Sequence, residues 1–219
     1  MSETKAADEF VPPRGVGAVL HSAALYDFGM WLTLRGRGRA LQQNFLQLAR
    51  IVSGETALDV GCGTGTLAIM AKRRVGSAGA VCGIDASLEM IRRARSKARR
   101  AGVDVAFEGA VAQTLPFPDA SFDVVLATLM LHHVGRNGRR RIAVEMHRVA
   151  KPGGRVLVVE FARSTRKSTG ILGHLHRGHG AVGLDELLEL LAGAGLAVRD
   201  SGTVGAHGLH FIRAEVPPS

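Results

Sequence analysis

A glycine-rich turn between an expected strand and an expected helix is the feature that most constrains this sequence. Residues 57–68 read ALDVGCGTGTLA, so an apolar run ends in Asp59 and three glycines follow at alternate positions. Glycine has no Cβ and tolerates a positive φ, so such a turn lets the backbone approach a neighbouring group closely. The pattern predicts a strand at residues 56–60, a helix at residues 67–75 and a ligand site between them.

Strands and helices alternate after this turn. The expected strands are residues 80–84, 103–107, 123–130 and 155–161, and the expected helices are residues 87–101, capped by Ser87, 137–150 and 185–194. The alternation predicts an α/β fold with a Rossmann-like, mostly parallel seven-stranded sheet and helices on both faces. Only three residues separate the last two expected strands, 196–203 and 207–216. That gap cannot hold a crossover helix, so we expect a C-terminal antiparallel hairpin.

Composition excludes several classes of protein. The 219 residues are 46% hydrophobic, which suffices for one globular core. The longest nearly apolar run, residues 124–131, is far shorter than a membrane span. The N-terminal sequence MSETKAADEF lacks the shape of a signal peptide, and two cysteines suit a reducing compartment. We therefore expect a cytoplasmic protein without disulfides or a membrane-spanning segment.

A net charge of +9 raises the alternatives of nucleic acid, an anionic lipid surface or an acidic substrate as partner. Two arginine-rich stretches, residues 92–100 and 139–141, contribute much of this charge and fall within expected helices. Both lack the interleaved aromatic residues on which nucleic-acid bases stack. We interpret them as solvated helix faces and expect no nucleic-acid partner.

The acidic residues around the turn narrow the choice of ligand. A dinucleotide fingerprint requires glycine where Thr66 stands, and the phosphate-loop pattern GxxxxGK[ST] is absent. The Asp59 carboxylate would repel a pyrophosphate but suits a cation. Asp85 ends the second expected strand, where an acid can accept both hydroxyls of a ribose. The ligand should therefore carry a ribose and a positive charge, which S-adenosylmethionine does.

Four stretches resemble a known family. DVGCGTG, GIDAS, LPFPDASFDVV and EMHRVAKPGGRVLVVEF occur in this order and resemble class I S-adenosylmethionine-dependent methyltransferases. The subgroup is the one acting on small molecules, including quinone-biosynthesis enzymes. The resemblance implies S-adenosyl-L-methionine as cofactor and the following cofactor-binding residues: Asp59, Gly61, Cys62, Gly63, Gly65, Asp85, Ala86, Ala112, Gln113 and Thr128.

The chain departs from the family pattern at Val111, where relatives often carry an acid that accepts from the adenine amine. We therefore expect adenine recognition to be mostly apolar or helped by Gln113. The departure, together with a short 164–183 segment, supports an alternative in which the protein binds the nucleoside without transferring a methyl group.

The acceptor site is expected beyond the fourth strand. His132 and His133 are candidate catalytic bases because imidazole titrates near neutral pH, with packing under the sheet as the alternative. Since successive strand residues point to opposite faces, we expect at most one of them to face the acceptor. The NPPY or DPPY text of enzymes acting on base amino groups is absent, which argues against nucleic-acid methylation.

The remaining expectations concern the ends of the site. Residues 1–15 should be a mobile tail, residues 16–52 a helical lid, and residues 53–219 the S-adenosylmethionine-binding methyltransferase domain. Tyr26 and Trp31, the only tyrosine and tryptophan, are candidate substrate-binding residues, with ordinary helix packing as the alternative. We interpret the three histidines of residues 174–179 as a structural or accidental cluster and expect no metal site there. The expected acceptor is a small apolar molecule, and the expected state is a monomer or homodimer.

Overall fold

The computed structural model describes residues 38–162, 182–205 and 208–218. The helices are α1 (Gly38–Leu48), α2 (Thr66–Val75), α3 (Leu88–Ala101), α4 (Arg136–Val149) and α5 (Leu184–Gly193). The strands are β1 (Thr56–Val60), β2 (Ala80–Asp85), β3 (Ala106–Gly109), β4 (Phe122–Thr128), β5 (Ala150–Phe161), β6 (Ala197–Val204) and β7 (Leu209–Glu215). The expected tail, the part of the expected helical lid before residue 38, Tyr26, Trp31 and the histidines of residues 174–179 lie outside the described residues.

The seven strands form one sheet in the order β3-β2-β1-β4-β5-β7-β6. The first five strands run parallel, and β7 is antiparallel to both β5 and β6. The predicted fold class, including the C-terminal hairpin, is confirmed. The strand order reverses between β1 and β4, so the carboxyl ends of these strands border the crevice where such sheets bind ligands.

Each face of the sheet is covered by its own set of helices. Helices α1, α2 and α3 pack on one face with buried residues such as Phe45, Ala68 and Ile91. Helices α4 and α5 pack on the other, with Met146 and Leu191 fully buried. The two arginine-rich stretches therefore lie on opposite faces and do not form one basic surface. In the described segments no helix has the length and apolarity needed to cross a membrane.

Several element boundaries differ from the expectation, and three of these differences have a visible structural cause. β3 begins at Ala106, three residues late, because Gly102 adopts a left-handed conformation and the N–H of Val103 still bonds to Ala98 O of α3. Such a closure uses the residues after a helix to satisfy its last carbonyls. β4 ends at Thr128 because Leu129 has a φ of 55°, which breaks the strand.

The third difference is the beginning of β5. The sequence predicts a helix at residues 137–150 and a strand only from residue 155, but the strand already begins at Ala150. Phe122 pairs with Ala150 and Val124 with Arg155, so the residues between them form a bulge. Gly153 supplies the positive φ, 74°, that the bulge requires. The bulge lies where β4 and β5 begin, at the opposite ends of the parallel strands from the glycine turn.

Candidate functional site

The glycine turn follows β1 directly and leads into α2. Gly61, Gly63 and Gly65 all have positive φ values, 70°, 53° and 76°. A Cβ at Gly61 would lie 2.8 Å from the Cβ of Met130, and one at Gly65 would lie 2.6 Å from the ring of Phe107. At these two positions the space that a side chain would need is occupied by other residues of the protein, so the glycines are required by packing and not only by a ligand. The turn is thereby packed tightly against β3 and against the segment that follows β4.

Asp59 lies at the base of the turn and is 2% exposed. Its carboxylate accepts a hydrogen bond from the backbone N–H of Ala68 in the first turn of α2. Its Oδ2 is buried and has no hydrogen-bond partner among the described residues. Burial, and secondarily the negative charge of Asp85, raise the pKa of Asp59 from 3.8 to about 7. Within the described part of the chain, the site thus contains a buried carboxylate with one oxygen unpaired and no cation beside it.

Asp85 ends β2 and connects the turn to the next helix. Its Oδ2 accepts from the Gly63 N–H at 2.9 Å, and its Oδ1 accepts from the Ser87 N–H at 2.8 Å. Burial raises the pKa of Asp85, and the bonds from Ser87 and Gly63 oppose that effect. A carboxylate offers about four acceptor positions, so two remain for a pair of hydroxyls.

Both cysteines are free thiols: Cys62 lies within the glycine turn and Cys82 in the middle of β2. Cys62 is buried, and burial, followed by the charges of Asp59 and Asp85, raises the pKa of its thiol well above the ordinary value. A thiol in that state is a poor nucleophile. Cys82 is only partly buried.

The other expected cofactor residues lie on loops or at the end of a strand, where the carboxyl ends of the parallel strands meet. Ala86 follows Asp85, and Thr128 is the last residue of β4. Ala112 is buried in the loop after β3, and Gln113 is half-buried beside Gly138 of α4. At Val111 the backbone carbonyl accepts from the Thr114 N–H at 3.2 Å. The site residues expected from the family therefore converge on the carboxyl edge wherever they are described.

The two histidines do not continue β4. Leu131–His133 form a single turn of 3₁₀ helix, so the alternation expected of strand residues does not apply and that argument was wrong. The rings of His132 and His133 lie side by side with centroids 3.9 Å apart. Phe161, the last residue of β5, meets the His132 ring edge-on at 5.4 Å. Both histidines are therefore part of the same edge as the glycine turn.

Two buried charged residues hold this 3₁₀ turn, and neither was singled out from the sequence. Glu160 on β5 is fully buried; one of its oxygens accepts from the Leu131 N–H at 2.6 Å, and the other lies 2.8 Å from His132 Nδ1. Arg139, which we had interpreted as solvated, is 8% exposed and donates to Leu131 O at 2.9 Å and to Glu186 at 2.9 Å. The available signal for Glu160 was an acid within the otherwise apolar strand sequence VLVVEF.

The LPFPD loop, part of the family resemblance, has a structural role here. Arg148 of α4 donates to the carbonyls of Leu115 and Phe117 and to the Asp119 carboxylate, at 2.7–3.0 Å. Glu145 accepts from the Leu115 N–H at 2.7 Å and also pairs with Arg148. These bonds fix the loop to α4. Within the described part of the chain no group of three or more side chains is arranged to hold a metal ion.

Comparison with known proteins gives consistent matches. Residues 57–154 match the family model described as "Methyltransferase domain". The ubiquinone/menaquinone biosynthesis C-methyltransferase UbiE of Marinomonas sp. (strain MWYL1) is 35% identical over 153 residues, covering 68% of this chain and 60% of that protein. This chain thus spans about 60% of the length of the curated relatives it matches.

Two solved structures illustrate the likeness in fold. A SAM-dependent methyltransferase from Aquifex aeolicus matches with a TM-score of 0.72 at 22% identity, covering 89% of this chain and 96% of that one. The [4+2]-cyclase SpnF matches with a TM-score of 0.71 at 23% identity, covering 82% of each chain. The fold is therefore shared with proteins whose reactions differ.

Proposed function

We propose that this chain, which carries a class I S-adenosylmethionine-dependent methyltransferase domain over residues 57–154, transfers a methyl group to a small apolar molecule. S-adenosyl-L-methionine is the cofactor of this family. The relatives are C-methyltransferases of ubiquinone and menaquinone biosynthesis, which favours an aromatic, quinol-like acceptor. A cytoplasmic location and a monomeric or homodimeric state remain predictions from the sequence.

The unsatisfied carboxylate of Asp59 is the observation that carries the proposal. Its buried Oδ2 has no hydrogen-bond partner in the described segments, and a second carboxylate, Asp85, lies close enough to raise its pKa. A bound cation would compensate this charge, and the free acceptor positions of Asp85 suit ribose hydroxyls. The ammonium group and the ribose of S-adenosylmethionine match both requirements. The residues present therefore fit the cofactor.

The role of the chain in this reaction is mainly to bind and align. When bound, S-adenosylmethionine supplies a methyl group on a sulfonium that is already activated for in-line displacement. Asp59 and Asp85 would hold its polar ends, with Gly63 oriented by Asp85. Ala112, Gln113 and Thr128 would line the remainder of the site. Alignment of two reactants in a site without bulk water can account for a large part of the rate enhancement.

A protein that binds the nucleoside without methyl transfer is the second candidate. Val111 provides no side-chain acceptor for the adenine amine, which favours weaker binding than in relatives that carry an acid there. A nucleic-acid methyltransferase is less favoured, because the two arginine-rich helices lie on opposite faces of the sheet.

Isothermal titration calorimetry with S-adenosylmethionine and S-adenosylhomocysteine tests the cofactor site. We expect binding of both, strongly weakened in Asp85→Asn. Absence of binding at millimolar ligand would refute the proposal. A methyl-transfer assay against a panel of aromatic metabolites, RNA and DNA then separates the candidates, since a binding protein would methylate none of them.

A further inference from the structure

The acceptor end of the site contains a buried carboxylate joined to an imidazole. Glu160 is 0% exposed, and both of its oxygens are used: one accepts from Leu131 N–H, the other meets His132 Nδ1 at 2.8 Å. A carboxylate removed from water is costly unless it is paired and hydrogen-bonded. An acid at this position of an apolar strand therefore calls for an explanation beyond packing.

The pairing determines which nitrogen of His132 carries the proton. An ionised carboxylate only accepts hydrogen bonds, so Nδ1 must donate and Nε2 is left as the acceptor. The surrounding bonds prevent the ring from drifting. The backbone of Leu131 is fixed at both of its polar groups: its N–H donates to Glu160, and its carbonyl accepts from Arg139. Arg139 in turn donates to Glu186. His210 stands opposite Glu160 in the β5–β7 ladder, but the Glu160 oxygens are engaged by residues 131 and 132.

The position of this pair relates it to methyl transfer. Met130 precedes the 3₁₀ turn and lies against Gly61 of the glycine turn, and the side chain of His132 remains 13% exposed. The same arrangement of a carboxylate that orients an imidazole serves as a general base in other enzymes. His132 is thus a candidate base next to the cofactor turn, and Glu160 is its positioning residue.

Resting on the proposed function, we infer that Glu160 orients His132 as a general base. His132 would take the proton from a methyl-accepting substrate that bears a phenolic or enolic hydroxyl. The hydroxyl proton passes to His132 Nε2. The oxygen, or the ring carbon it activates, forms the bond to the methyl carbon as the C–S bond breaks and its electron pair stays on sulfur. Attack through carbon is completed when the ring C–H proton leaves to solvent. The imidazolium that forms is stabilised by Glu160.

The tautomer can be read without cofactor or acceptor. Two-bond ¹⁵N–¹H spectra of the histidine rings in the whole protein should show His132 protonated at Nδ1. In Glu160→Gln the amide can still accept from Leu131 N–H, but its NH₂ donates to Nδ1, so His132 should switch to the Nε2–H form. Glu186→Gln, a carboxylate of the same network that does not touch His132, should leave the tautomer unchanged. A wild-type His132 protonated at Nε2 would overturn the inference.

Kinetics provide the second readout. We expect kcat for 1,4-naphthalenediol to fall about 100-fold in Glu160→Gln and in His132→Gln. The Kd for S-adenosylmethionine should stay within about threefold, since general-base catalysis acts on the rate and not on cofactor binding. The matched compound 1,4-dimethoxynaphthalene, which has no hydroxyl proton, should not be methylated. An unchanged kcat in Glu160→Gln, or methylation of the dimethoxy compound, would overturn the inference. Failure of cofactor binding would instead refute the proposed function, and the tautomer would still be measurable.

Discussion

Replacing Asp59 with asparagine should stabilise the cofactor-free protein, and more so at high pH. The folded-state pKa of about 7 lies above the ordinary value of 3.8. For such a group the contribution to stability is fully present below about pH 3.8 and is lost as pH rises to about 7, because the unfolded state ionises first. Asparagine does not titrate, and its oxygen can still accept from the Ala68 N–H.

The pKa difference sets the magnitude. At 1.36 kcal/mol per unit, the Asp59 contribution falls by about 1.7 kcal/mol at pH 5 and by about 4 kcal/mol at pH 8. The unfolding free energy of Asp59→Asn relative to wild type should therefore increase by about 2–3 kcal/mol between these two pH values. The comparison between variant and wild type removes the contributions of other titrating groups to first order.

Urea unfolding followed by circular dichroism at pH 5 and pH 8, without cofactor, measures this change. Asp104→Asn is the matched control, because that carboxylate is exposed, and it should show little difference between the two pH values. A stability difference for Asp59→Asn that is the same at both pH values would refute the reasoning. It would mean that the carboxylate is already compensated in the free protein.

Three further outcomes are expected. Cofactor affinity should weaken about tenfold when the pH falls from 7.5 to 6, because the ammonium group binds the ionised form of Asp59. Asp59→Asn should bind the cofactor weakly and with the same affinity at both pH values. Titration calorimetry measures both proteins, and an equal pH dependence of affinity in the two would contradict this prediction. Gly61→Ala should lower the unfolding free energy by about 1 kcal/mol for its left-handed backbone and about 1–3 kcal/mol more for overpacking. Gly102→Ala, with a similar φ and open space around it, should show only the first effect, and equal losses in urea unfolding would refute the packing argument. Arg148→Met should destabilise by about 2 kcal/mol, because it releases the LPFPD loop. The exposed ion pair of Arg199 with Glu215 should contribute less than about 1 kcal/mol to the free energy of unfolding. Similar losses of unfolding free energy in Arg148→Met and Arg199→Met would therefore argue against a stabilising role for the bonds between Arg148 and the LPFPD loop.

The order and type of the strands and helices followed from local patterns. The alternation of apolar runs with amphipathic segments, the cap at Ser87 and the short gap before the last strand each have a local cause, so one sequence sufficed to predict them. The boundaries that moved depend on distant partners. Leu129 leaves the strand conformation with its N–H bonded to Val159 O, and the bulge at Gly153 is tied to Val216 by backbone hydrogen bonds. No local pattern contains that information.

The candidate site divides in the same way. Asp59 and Asp85 were recognisable because an acid at the end of a strand next to a glycine turn has few structural explanations. Glu160 and Arg139 were missed because their partners are brought together by tertiary packing: 29 residues separate Leu131 from Glu160, and 47 separate Arg139 from Glu186. A run of three arginines looks solvated in sequence, although one of them is buried once the neighbouring helix is in place.

The packing of protein atoms against Gly61 and Gly65 has a consequence for how such a motif changes over time. At residue 65, a Cβ would overlap with Phe107 and Ala94, which belong to other elements. A larger residue there should be accepted only together with a smaller one at residue 107. The glycine spacing therefore records the shapes of the turn's neighbours, and two chains could keep it while binding different molecules. Ligand identity has to be inferred from the acids around the turn.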